Sequence, residues 1–211
     1  MKKRKRKRRL KLKNLVVIIL ILFIIVAGAL TVKDKLFGKK AVKEVKVVDK
    51  LEKYGYSMNE NATKYYQKLF KELKEELNKK EIDEEKYAKL VSQLFLADYF
   101  NLNNKLSKND VGGVQFVYKD YQSTFVKLST QQVYKYVESN IYGNRHQQLP
   151  VVKKVTVDNI TQEPFEYNDK TDDNAYVVDL SISYNRDMGY QEKATLTLIH
   201  SGKKLEIAKM S

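Results

Sequence analysis

The chain has 211 residues, two histidines, no cysteine and a formal charge of +14. The missing cysteines exclude disulfides, thiolate nucleophiles and Cys-based zinc or iron–sulfur sites, and the high aliphatic and aromatic content excludes a disordered polymer. The charge excludes less than its size suggests. Lys2, Lys3, Arg4, Lys5, Arg6, Lys7, Arg8, Arg9, Lys11 and Lys13 supply ten of the 40 basic side chains without one acid, which leaves 30 against 26 in all that follows.

Residues 1–14 therefore read as a basic tail. Directly behind it, residues 15–32 (LVVIILILFIIVAGALTV) carry no charge and only Thr31 as a polar side chain. As a helix these 18 residues extend about 27 Å, close to the roughly 30 Å of bilayer hydrocarbon. The run predicts a transmembrane helix. Basic residues next to a span stay on the cytoplasmic side, so the tail is expected inside and the C-terminus outside. A tail this short has no core with which to position itself on nucleic acid, and its expected partner is anionic lipid head groups, at about 1 kcal/mol per basic residue near the surface. A second reading stays open: Ala27-Gly28-Ala29 has the small side chains of a signal-peptide cleavage site, and cutting after Ala29 would release the same body as a secreted protein.

Residues 33–58 alternate Lys with Val and Glu and read as a juxtamembrane stalk, leaving 59–211 as the extracytoplasmic domain. Asn59 or Asn61 offers an N-cap, after which Ala62, Tyr65, Tyr66, Leu69, Phe70, Leu73 and Leu77 form one stripe of a helix over about 61–79. A second helix begins at Asp83–Glu85, acids that suit its positive end, and carries Tyr87, Leu90, Val91, Leu94, Phe95 and Asp98 along one face. NNKLSKNDVGG is a loop. Val114, Val117, Tyr121, Phe125 and Leu128 then fit a further helix, with a short strand at 114–118 as the alternative. Ser129 and Gln132 make a capping box for a continuation through Val133, Val137 and Ile141 to Gly143.

From Pro150 the period changes to two. Val155 and Val157, then Tyr176 to Tyr184, then Ala194 to Leu198 alternate apolar with polar neighbours, and a last strand is expected near 204–209. NRDMG and HSGKK supply connections. The sum is an α+β fold: two to three helices packed on a C-terminal antiparallel sheet of three to four strands.

This order of tail, span, stalk, helices and sheet resembles the nuclear transport factor 2-like, cone-shaped exported domains of conjugation and type IV secretion assembly proteins. Segments such as KYGYSMNENATKYYQKLF and KNDVGGVQFVY also resemble those of uncharacterised membrane-anchored proteins of low-GC bacteria. The resemblance implies a curved sheet and a protein-binding or assembly role in the cell envelope, with a protein partner or a second copy of the chain. A ligand-sensing or hydrolytic domain and a structural spacer are the alternatives.

Chemistry-bearing residues are sparse. His146 in GNRHQQ and His200 near a turn lack neighbouring ligands at metal spacing, and the acidic stretch EYNDKTDDN, residues 166–174, lacks calcium-loop spacing and reads as a solvated hairpin loop. Gly112-Gly113 matches no phosphate-binding motif and reads as the end of a loop, and no serine lies in a nucleophile motif. No catalytic residue, metal or cofactor is expected. The fifteen tyrosines exceed what a core of this size needs, and Tyr118, Tyr121, Tyr134 and Tyr142 are the candidates for a partner surface, where tyrosine is enriched.

Overall fold

A computed structural model describes residues 44–211. The predicted span and basic tail, with their membrane-surface residues, lie outside that range. Within it, no helix is long and apolar enough to cross a membrane.

The α+β arrangement is present: three helices pack on a four-stranded antiparallel sheet. The described residues open with a hairpin of β1 (Val47–Leu51) and β2 (Tyr56–Asn59). These residues belong to the stretch expected as stalk, yet Leu51, Tyr54 and Tyr56 are buried in the main core, so the folded body begins ahead of Asn59. Then follow α1 (Lys64–Leu77) and α2 (Glu84–Tyr99). The N-cap of α1 is Thr63, whose hydroxyl accepts from the Tyr66 N–H at 3.1 Å, in place of the asparagines expected. Asp83 caps α2 by accepting from Lys86 N–H.

Helix α2 is the centre of the domain. Ten of its sixteen residues are buried, because α1 covers one side and the sheet the other. Apolar burial at about 25 cal/mol per Å2 makes this the main source of stability. A carboxylate fixes the α1–α2 turn. Glu76, fully covered, accepts from Lys79 Nζ at 2.7 Å, Lys86 Nζ at 2.9 Å and the Asp83 N–H at 3.0 Å.

Beyond α2 come three single 3-10 turns and α3 (Gln122–Gln131). The continuation through Ile141 does not form. Ser129, read as a cap, lies near the end of α3, and its hydroxyl donates to the Tyr99 hydroxyl at 3.2 Å. The chain leaves helical geometry at Gln132 so that Tyr134 can enter the core, where its hydroxyl donates to the Tyr99 carbonyl at 2.6 Å and accepts from the Gly112 N–H at 2.9 Å.

The sheet is a meander of β3 (Val152–Tyr167), β4 (Lys170–Tyr184), β5 (Lys193–Ser201) and β6 (Lys204–Met210), paired in chain order. Val178, Leu180 and Ile182 are buried between less buried neighbours, as alternation requires. The stretch expected as an acidic loop is mostly strand: β3 and β4 meet in a two-residue turn at Asn168-Asp169, both with positive φ, a conformation these residues tolerate. Ile199, next in β5 after the alternating run, is buried on the far side of the sheet with Tyr118 and Ala175. Tyrosine hydroxyls cap one residue on each edge of the sheet. Tyr65 donates to the Val155 carbonyl and accepts from its N–H, each at 3.0 Å. On β6 the Leu205 N–H donates to Tyr87 at 3.2 Å, Tyr87 bonds Tyr56 at 2.7 Å, and Tyr56 donates to the Leu205 carbonyl at 3.3 Å. Such closure blocks edge-to-edge pairing where it occurs.

Candidate functional site

The closure of β6 stops before its C-terminal end. Val117 forms a bridge to Ile207, and the Tyr118 N–H donates to the Ile207 carbonyl at 2.8 Å. The chain then turns into α3, leaving Ala208–Met210 without a neighbour on that edge among the described residues. Ser211 exchanges both backbone hydrogen bonds with Thr195, so alternation along the ladder turns the N–H and C=O of Met210 toward the open side.

Between this strand end and α3 lies a groove of about 540 Å3. Phe95 and Tyr99 of α2 form its floor, stacked at 5.5 Å between ring centroids, and Phe125 of α3 tilts over both at 5.7 and 5.2 Å. Leu128, 47% exposed, and Met210 stand at its rim. Together with half-buried Tyr121 and Phe125, these side chains form a contiguous, partly exposed apolar surface, which is suited to burial against another apolar group. Among the described residues that line it, Lys209 alone carries a charge. Lys127 is exposed on α3.

The four tyrosines singled out in the sequence divide. Tyr121 lines the groove. Tyr118 is largely buried behind it, edge-on to Tyr121 at 5.2 Å and to Tyr167 at 5.3 Å. Tyr134 is fully buried, so it is removed from the partner-surface set: it supports the floor from below through Tyr99, 5.6 Å away. Burial pushes its phenol well above the ordinary value. Tyr142 is 55% exposed but does not line the groove. The sequence reading missed the contribution of β6, whose Ile207, Ala208 and Met210 form one wall; no local signal announces which strand end a helix will leave uncovered.

The remaining candidates are placed elsewhere. His146 is exposed. His200 is half-buried and joins the sheet to the start of α2: its ring Nδ1 lies 2.9 Å from Asp172 Oδ2, which also accepts the His200 N–H at 2.6 Å, and its Nε2 lies 3.7 Å from Glu84. Burial raises the Asp172 carboxyl, but the hydrogen bonds from the His200 N–H and ring and from the Asn174 N–H together outweigh it and hold it below its usual range. No serine or threonine hydroxyl is hydrogen-bonded to His200 among the described residues, and no group of three potential metal ligands occurs among them. Gly112-Gly113 has a packing role. A Cβ on Gly112 would fall 2.3 Å from the Asp98 carbonyl oxygen, and one on Gly113, at φ +77°, 2.7 Å from the Phe95 ring.

Comparison of the chain with family models, with curated proteins and with solved structures finds no match.

Proposed function

We propose that the protein is a membrane-anchored, extracytoplasmic binding module that holds a segment of another envelope protein in the groove between α3 and β6. The observation that carries this reading is the aromatic-floored groove itself, left open beside an unpaired strand end and rimmed by exposed Leu128. The proposed occupant is an extended segment with aliphatic or aromatic anchors and neighbouring carboxylates. The anchors match the floor. The carboxylates match Lys209 and Lys127, which meet no acid among the residues lining the groove.

Covering the exposed half of Leu128 contributes about 1 kcal/mol, so the groove alone gives a weak contact. Attachment to a membrane through residues 15–32 raises the effective concentration of two anchored partners and lets such a contact suffice. The same attachment fits an assembly role of the kind implied by the resemblance to secretion and conjugation proteins.

The test is a photo-crosslinker in place of Leu128 in intact cells, with one in place of Thr161, on exposed β3 surface, as control. The expected outcome is an adduct at 128 and none at 161. The adduct should map to an apolar, acid-bearing segment of a second protein and be lost in Lys209→Glu. Crosslinks to lipid alone, to a second copy of the chain, or no adduct at all would overturn the reading. Protease added to intact protoplasts should digest the domain; protection would refute its placement outside.

A further inference from the structure

A second cavity, of about 190 Å3, opens between the start of α1, the end of α2 and the Gly112-Gly113 segment. Tyr66, Asp98, Asn101, Asn104, Lys105 and Asp110 are among its walls. Several of these groups are almost fully buried and still hold unused hydrogen-bonding capacity. Asn101 is 1% exposed. Its Oδ1 accepts from the Val152 N–H at 3.2 Å, which fixes the orientation of the amide, and its NH2 group has no partner among the described residues. The Tyr66 hydroxyl accepts from Gln115 Nε2 at 3.1 Å and makes no other hydrogen bond there, so its own proton is unspent. Burial, with Asp98 adding to it, pushes that phenol well above its ordinary value, which keeps it a donor. Lys105 gives one of its three hydrogens to Asp98 Oδ1 and has two to spare. On the acceptor side, among the described residues, Asn104 Oδ1 is buried without a partner, and Asp110 uses only Oδ2, toward the Leu106 N–H.

Buried donors and acceptors left without partners cost free energy, so such a cavity is built to be filled by something polar. The charges decide what kind. Lys105 is already neutralised by Asp98, and Asp110 adds a negative charge, which disfavours an anion. The surplus of NH and OH donors disfavours a cation. Hydroxyl groups, each both donor and acceptor, satisfy both sets. The volume falls short of the roughly 300 Å3 at which drug-sized sites begin and suits a single ring. We propose that this cavity binds a small, uncharged, polyhydroxylated molecule of about one sugar ring, independently of the α3–β6 groove.

The experiment is saturation-transfer NMR on the full chain in a sugar-free detergent. Methyl α-D-glucopyranoside and N-acetylglucosamine are the neutral probes, with lactate and ethylammonium as charged ones. The expected result is saturable transfer to a neutral probe with a dissociation constant on the order of 1 mM. Tyr66→Phe should weaken it about fivefold, the loss of one neutral hydrogen bond. Ala62→Leu, which fills the cavity from its α1 side, should abolish it. Each variant is first shown to melt as the parent does, and either one suffices if the other fails to fold. Transfer to no probe, which means water alone fills the cavity, would overturn the proposal. So would transfer to a charged probe in place of the neutral ones, or binding unchanged in the folded variants.

Discussion

Glu76→Gln is the sharpest test of how the helical hairpin is held. The carboxylate accepts three hydrogen bonds, from Lys79, Lys86 and the Asp83 N–H. Burial raises its pKa, but these donors outweigh that and lower it from 4.5 to about 2. Taken at full value, such a difference corresponds to about 3 kcal/mol. The side chain has no accessible surface, but its cover consists of two lysines that are themselves 49% and 47% exposed. Solvent and salt screen such a pair, and about 1–2 kcal/mol is the realistic loss. The folded state holds the lower pKa, so the contribution is complete above the unfolded value near 4.5 and is lost as pH falls from there toward 2. By pH 3 roughly half of it is gone. The assay is urea unfolding of parent and variant at pH 7 and pH 3, followed by circular dichroism. The variant should be less stable by about 1–2 kcal/mol at pH 7, by clearly less at pH 3, and by less again in about 1 M salt. An equal difference at both pH values, or none at pH 7, would refute the three-donor account.

Tyr87→Phe should cost about 1–3 kcal/mol, because it leaves the buried Leu205 N–H without its acceptor; the Leu205 amide should exchange faster with solvent, while the Val155 amide, held by Tyr65 on the opposite edge, keeps its protection. Gly113→Ala should cost about 2 kcal/mol or more, since a positive φ and a Cβ 2.7 Å from the Phe95 ring act together. Gly189→Ala, at φ +71° with open space around it, should cost only about 1 kcal/mol, a difference that chemical denaturation resolves. Asp172→Asn should lower stability by about 1–2 kcal/mol near neutral pH; because the Asp172 carboxyl is held below its ordinary 3.8 in the folded state, that difference should shrink as pH falls below about 4, which paired melts at pH 7 and pH 3 would show.

The local rules that act within a few residues carried well from sequence to structure. The apolar stripe of α1, the acid-capped start of α2 and the two-residue alternation of β4 and β5 each follow from one element meeting one apolar surface, and each forms where its pattern lies. The same reading failed where a local signal competed with a distant partner. Ser129 and Gln132 spell a helix start, but Tyr134 is worth more inside the core, where its hydroxyl satisfies Gly112 and Tyr99, and the helix ends instead. The KVVDKLEKYGY stretch lacks a clear period, yet Tyr56 gives it a place by closing the edge of β6.

The sites divide the same way. Composition pointed to tyrosine as the unusual resource, and Tyr121 does line the groove, while Tyr134, Tyr56 and Tyr65 spend their hydroxyls on backbone groups from other elements. Sequence by itself determined the fold class and the identity of the core faces, because hydrophobic periodicity needs no knowledge of the partner. The tertiary structure alone decided which surfaces were left over. A groove or an unspent hydrogen-bond donor is what remains after every element has chosen its neighbour, and that choice is made between residues far apart in the chain.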